Sequence, residues 1–251
     1  MARRGQKKHL KRLPAPRHWP IKRKHGKFTT RPIPGPHPKE ECLTLAILLR
    51  EVLGHAKNMR EVRAILSGGQ VLVDGVPRKN PRFPVGLMDS IQLLGSGERY
   101  RLLPKRKGGF RLVEIDEEAA SMKLARIEKK MMVPGGRLQL SLHDGRNIQL
   151  PEGAKSSDYN TLDTLAISVP EQEILESIPL EDGNYAVVSR GRNVGIEGKV
   201  LGIQRRLGTH TSTVTLQAPD GSRFETALDY VFIVGKDKSM IKLSSAGGVS
   251  E

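Results

Sequence analysis

Residues 65–75 read ILSGGQVLVDG. Ile65 and Leu66 close an apolar helical stripe, two glycines follow, then a short apolar strand, then Asp74-Gly75. Glycine tolerates the left-handed geometry that ends a helix, and Asp-Gly is a strong two-residue hairpin signal. The pattern is helix, turn, strand, turn, with almost no slack. Just upstream, Met59, Val62, Ile65 and Leu66 recur at helical spacing after Asn58, a plausible N-cap with Glu61 three residues on. Arg60 and Arg63 then share an exposed face beside Lys57. Further back, LTLAILLREVLG (43–54) places Leu45, Leu48, Leu49, Val52 and Leu53 on one helical face and stops on Gly54. Beyond the hairpin, residues 70–73 read as a strand and Arg78, Lys79 and Arg82 follow on the return side. Two groups of cations, one helical and one on the hairpin, could straddle a phosphate backbone. A small α+β domain with solvated charges is the plainer alternative.

Composition narrows the partner. The chain has 251 residues, 37% hydrophobic and 4% aromatic, which suits two or three small domains with several small cores. Its net charge is +15, with a sequence pI near 10.1. A polyanion is the leading partner, nucleic acid before an acidic membrane. Cys42 is the single cysteine, so no intrachain disulfide forms, which fits a reducing compartment. No apolar run approaches a membrane span, and the N-terminus lacks a signal-peptide core. A soluble protein of the cytoplasm is expected.

The charge is concentrated. Residues 1–39 hold 13 Lys and Arg and no acid, leaving 29 basic against 27 acidic residues in the rest. The arm has few apolar residues and a Pro-rich end, so it is expected to be unfolded until it binds. A solvated tail or localisation signal is the bland reading. The favoured one is RNA binding, because planar rings sit among the cations and can stack on bases while the cations meet phosphates. The candidates are Arg3, Arg4, Lys7, Lys8, His9, Lys11, Arg12, Arg17, His18, Trp19, Lys22, Arg23, Lys24, His25, Lys27 and Phe28.

From about residue 100 the chain reads largely as strands. RLQLSLHDGRNIQL (137–150) alternates strictly, with Leu138, Leu140 and Leu142 on one face and Asp144-Gly145 at the turn. EEAASMKLARIEKK (117–130) reads as helical or as a helical connection. In GNYAVVSRGRNVGIEGKVLGIQRR (183–206) an apolar strand enters a Gly-rich loop, then a second strand from Lys199 to Ile203. Glycines there permit close backbone approach to a partner. Asp220-Gly221 marks another hairpin between TVTLQA (213–218) and RFETALDYVFIVG (223–235). SSAGGVSE (244–251) is expected to fray.

Little chemistry is visible. There is no G-x-x-x-x-G-K-[ST] loop, GSGERY (95–100) lacks a third glycine, and EIDEE (114–118) is a solvated run. Seven histidines and one cysteine form no ligand cluster in sequence. No catalytic residue, metal or cofactor is assigned.

AKNMREVRAILSGGQVLVDG (56–75) closely resembles the S-four RNA-binding domain. The matching positions are Lys57, Asn58, Arg60, Glu61, Arg63, Gln70, Val73, Asp74 and Gly75. The resemblance implies that two helices and the hairpin present cations to structured RNA. Glu61 and Asp74 are then architectural, and Arg60, Arg63 and Gln70 are the better contacts. NPRFPVGLMDSIQL (80–93) and the opening 1–37 look like the archaeal/eukaryotic-type S-four family of small-subunit ribosomal proteins, a far more specific match. The loop at 191–195 resembles a KOW motif of SH3-like barrels, which points to Arg192 and Asn193, with Lys199, Arg205 and Arg206 nearby.

Together these imply an α+β, multi-domain, non-enzymatic constituent of the small ribosomal subunit, binding its rRNA beside other ribosomal proteins. No membrane or small-molecule substrate is expected. The expected units are a basic arm (1–41), an S-four module (42–95), a mostly-β domain (96–172), a KOW barrel (173–245) and a frayed end (246–251). An RNA-modifying enzyme of the pseudouridine-synthase type is the alternative, but its resemblance spans only residues 43–90 and the Arg-Leu-Asp tripeptide is missing. A KOW-type transcription factor fits the arm poorly.

Overall fold

The computed structural model describes residues 9–151, 156–206 and 211–243. The candidates Arg3, Arg4, Lys7 and Lys8, and the C-terminal stretch 244–251, lie outside the described residues. The arm begins with a two-stranded antiparallel clip, β1 (Leu10–Lys11) on β2 (Phe28–Thr29). It does not stand apart from the body. Ala15, Trp19 and Ile21 are buried in one core with Leu45, Leu49, Val62 and Leu66. The expectation of an arm without a fold of its own is corrected here. Its own residues cannot make a core, but the neighbouring helices supply the missing apolar surface.

β3 (Cys42–Thr44) leads into α1 (Leu45–Ile47), which widens into a π-helical turn over Leu48–Val52. The apolar stripe read from 43–54 is therefore helical, with Gly54 at φ +74° as its stop. Next come α2 (Met59–Ser67), β4 (Val71–Val73), β5 (Val76–Pro77), β6 (Pro84–Gly86) and β7 (Ser90–Leu93). Asp74 and Gly75 have φ of 50° and 74°, the doubly left-handed turn that Asp-Gly accommodates. β3 pairs with β6. β8 (Arg99–Pro104) and β9 (Phe110–Glu114) extend the module's sheet, giving the order β5-β4-β7-β8-β9. The sheet thus runs past the boundary expected at residue 95, because β8 pairs directly with β7.

The helical reading of 117–130 holds for one turn only, α3 (Glu117–Ala120); β10 (Met122–Val133) follows as the longest strand described. Residues 123–127 are all buried, so the alternation that identifies a half-exposed strand is lost. β10 lies inside the sheet β12-β11-β10-β13-β14, with β11 (Arg137–Leu142), β12 (Asn147–Gln149), β13 (Thr164–Ser168) and β14 (Ile174–Ile178). The alternation read at Leu138, Leu140 and Leu142 is present, all three buried. A third five-stranded sheet, β18-β17-β16-β15-β19, comprises β15 (Tyr185–Val188), β16 (Glu197–Gln204), β17 (Thr213–Gln217), β18 (Arg223–Ala227) and β19 (Val231–Gly235). A mixed core joins the sheets: Leu103 and Val113 meet Leu124, Ala166, Val187 and Phe232.

At this junction lies a buried ion cluster. Lys123, 1% exposed, places Nζ 2.7 Å from Asp74 Oδ2, 2.6 Å from Asp89 Oδ1 and 2.9 Å from Asp144 Oδ2. Arg146 Nη2 adds a contact to Asp74 at 2.7 Å, and His37 Nε2 lies 3.1 Å from Asp89. The carboxylates come from three turns and His37 from the arm, so one ammonium ties together arm, module and central sheet. Burial alone pulls the Lys123 ammonium down, but Asp89, Asp74 and Asp144 outweigh it and hold it above its ordinary value. Asp89 is likewise held below the carboxylate range: burial opposes this, and Lys123 and His37 overcome it. Asp144 is held low in the same way, with Lys123 prevailing over burial.

Breaking such a cluster leaves buried charge uncompensated. Lys123→Met is expected to cost about 3–5 kcal/mol in chemical denaturation; a loss under about 1 kcal/mol would show that the cluster does not join the units. Acid should act in two stages. Burial pushes His143 down to about 4, so the unfolded chain takes up that proton first, from about pH 6.5 downward. Stability from this residue is complete above pH 6.5 and drains as pH falls to about 4; Asp89 and Asp144 withdraw theirs below about 4. In thermal melts His143→Gln should flatten the upper stage and spare the lower one.

Candidate nucleic-acid interface

α2 presents the first cationic face. Asn58 Oδ1 accepts from Arg60 N at 2.9 Å and Glu61 N at 3.0 Å. Its Nδ2 donates to Glu61 Oε1, whose other oxygen accepts from Lys57 N. Asn58, a candidate RNA contact by resemblance, is exposed and has both ends of its side chain engaged in capping. Val62 and Leu66 turn inward, while Lys57, Arg60 and Arg63 are exposed. Among the described residues neither arginine has an ion-pair or side-chain hydrogen-bond partner. Gln70 is also exposed, at the mouth of β4.

On the hairpin side the cations differ in freedom. Lys79 is exposed. Arg78 lies over the Phe83 ring at 4.5 Å, and Arg82 Nε donates to Arg31 O at 2.9 Å, fastening the arm to the module. Among the described residues no hydrogen bond or ion pair joins this group to the Arg60–Arg63 face.

The arm divides into staples and exposed groups. Trp19 is 2% exposed and donates Nε1–H to Cys42 O at 2.7 Å. It cannot stack on a base from there, which corrects its assignment. The cationic neighbours suggested a stacking ring, while the acceptor that holds it is 23 residues away. Arg23 donates to the carbonyls of Arg12, Ala15 and Pro16, and Arg12 to those of Phe28 and Lys22. Both arginines are thereby engaged in shaping the arm. His18 is half-buried, edge-on to Phe110 at 5.6 Å, and burial lowers its pKa. By contrast His9, Lys11, Arg17, Lys22, Lys24, His25, Lys27 and Phe28 are exposed. His9 and Lys27 both lie against the Phe28 ring, at 5.3 and 5.5 Å.

In the loop after β15, Arg192 is exposed. Asn193 Nδ2 donates to Glu225 O at 3.2 Å, and Lys199 pairs with Asp237 at 3.6 Å, so these two are partly occupied. Arg190 reaches Glu41 Oε2 at 2.6 Å, joining the loop to the end of the arm. The turn between β8 and β9, not among the candidates from sequence, exposes Lys105, Arg106 and Lys107. The signal was present in KRKGG, three cations before two glycines. Among the described residues no group of three His, Cys, Asp or Glu could hold a metal, and no helix is long and apolar enough to cross a membrane.

Three family models match the chain: the RS4NT domain over residues 4–40, the S4 domain over 45–91 and the ribosomal family S4e over 96–174. Small ribosomal subunit protein eS4 of Staphylothermus marinus is 49% identical, covering 97% of this chain and 98% of that one. The chain belongs to the eS4 family. Its counterpart from Methanocaldococcus jannaschii is 47% identical over 97% of this chain and the whole of its own. The crystal structure of the 30S ribosomal protein S4e from Thermoplasma acidophilum, 34% identical, superposes with a TM-score of 0.65 over 81% of this chain and all of that chain.

The docking of the arm is open to a direct check. Trp19→Ala removes a buried indole and its hydrogen bond to the Cys42 carbonyl, and should cost about 3–5 kcal/mol in urea denaturation. A loss below about 1 kcal/mol would place the ring outside the core.

Proposed function

We propose that the chain is a structural, non-catalytic constituent of the small ribosomal subunit in the cytoplasm, holding small-subunit rRNA beside neighbouring ribosomal proteins. Near-full-length identity to proteins named small ribosomal subunit protein eS4 carries this reading. The charge distribution supports it: a +15 chain with 13 of its cations in the first 39 residues. RNA is held at several points, with affinity from phosphate neutralisation and specificity from the fixed spacing of the contacts. The exposed part of the arm, the Lys57–Arg60–Arg63 face with Gln70, the Lys79 side of the hairpin and Arg192 provide those points. The unit at residues 173–245 acts as a KOW-type, SH3-like barrel whose loop faces RNA. The pseudouridine-synthase alternative finds no support among the relatives.

With roughly six cations on phosphates, the log-log dependence of rRNA affinity on salt should have a slope of about −4; a slope near −1 would count against the multi-point reading. Arg60→Glu with Arg63→Glu should weaken co-sedimentation with small subunits in moderate salt. Unchanged co-sedimentation of the folded double variant would remove that face from the interface.

A further inference from the structure

The turn between β8 and β9 and the loop after β15 are pressed together. A β-carbon at Gly195 would fall 2.5 Å from the backbone nitrogen of Arg106, so only glycine permits this approach. Two loops distant in sequence thus meet at Arg106 and Gly195, the first carrying Lys105, Arg106 and Lys107 and the second Arg192. The side chains of Lys105, Lys107 and Arg192 have no ion-pair or hydrogen-bond partner among the described residues. Arg106 acts only at longer range on exposed Asp220, whose carboxylate is held low first by Ser222.

Beneath these loops lies a half-open cavity of about 580 Å³, lined by residues of both loops, the arm, β10 and β19. That volume is in the range of small-ligand sites. The partly exposed rings of His18 and Phe110, edge-to-face at 5.6 Å, form one wall, and the buried Phe232 ring, edge-to-face with His143 at 5.3 Å, backs the floor. Its charged wall groups are already matched. Arg126 pairs with Glu128 at 2.5 Å, Arg190 with Glu41 at 2.6 Å, and Glu40 with Lys39 at 3.0 Å. His143 Nδ1 accepts from Arg126 N and Nε2 donates to Leu87 O, the pattern of a neutral imidazole. The interior therefore offers planar surfaces and balanced charge, while the unpaired cations stand on the adjoining turns. Such a division suits an uncharged planar group inside and anions outside.

We propose that this cavity takes up one unpaired nucleobase of an RNA strand, with the flanking phosphates held by Lys105, Arg106, Lys107 and Arg192. Stacking on protein rings and Watson–Crick-edge contacts are the usual means of holding a splayed base. The proposal rests on the rRNA-binding reading and adds a site to it.

The test uses the full chain and a small-subunit rRNA transcript substituted with 4-thiouridine, irradiated in the complex, with adducts mapped by mass spectrometry. Adducts are expected within residues 108–113 and 189–195. Val194→Trp, which fills the cavity from an exposed loop, should reduce those adducts about ten-fold and leave adducts on 57–63 unchanged. Because a filled cavity could disturb folding, K105S/R106S/K107S on the exposed turn provides a second reading. It should make the salt slope shallower by about 2. Wild-type adducts on the arm or on 57–63 with none at the cavity, equal cavity adducts in Val194→Trp, or an unchanged slope in the triple variant would each overturn this site alone. Failure of the wild-type chain to bind the transcript would overturn the rRNA reading, and this site with it.

Discussion

The ammonium of Lys123 is the point at which the arm, the module and the central sheet are held against one another. Three carboxylates surround it, each on a different turn, and a histidine from the arm closes the far side of one of them. A buried ion cluster of this kind is weak as a source of net stability, because desolvation consumes much of the Coulombic gain. Its effect is on geometry. Any docking of the units that moved a turn away would leave an ion buried and unmatched, so alternative arrangements are penalised while the observed one is not.

The second joint uses the same logic with neutral acceptors. Arg126, on the same strand as Lys123, donates Nη1 to the carbonyls of Asp229 at 2.7 Å and Val231 at 3.0 Å. β10 is consequently the spine: it offers Lys123 toward the module and Arg126 toward the C-terminal sheet. Arg101 adds a third link, buried completely, with Nη2 on the carbonyls of Ala119 and Met122. Burial pushes its guanidinium down to about 10, still charged at neutral pH. The chain thus has cations inside as well as out, the inner ones setting distances between the outer ones.

Local chemistry was legible and long-range chemistry was not. The Asn58 cap, the Gly54 stop and the Asp74-Gly75 turn could be read because each depends on residues within four positions. The same Asp74 carried a second role, as a ligand of Lys123, that no local pattern announces: the lysine is 49 residues away. Trp19 was read as a stacking ring from its cationic neighbours, whereas its surroundings in space are apolar. Residues 122–133 lost the strand signature because both faces of the strand's first half are covered. For the interface, Arg60 and Arg63 stood out through helical spacing. Lys105, Arg106 and Lys107 did not, since their significance depends on Gly195, which is remote in sequence and adjacent in space.

The position of Arg126 has a consequence for how the chain comes into being. Its carbonyl partners lie 103 and 105 residues downstream, so during synthesis its guanidinium must wait for them. At about 5–20 residues per second, the delay is on the order of 5–20 s. The arm meets its partners far sooner, since Cys42 follows Trp19 by 23 residues. The joints therefore close in N-to-C order, and the last to form is the one that seats the C-terminal sheet. Until then the arm and module emerge with an unseated spine, and a nascent chain halted between residues 127 and 229 would hold Arg126 without its carbonyl partners.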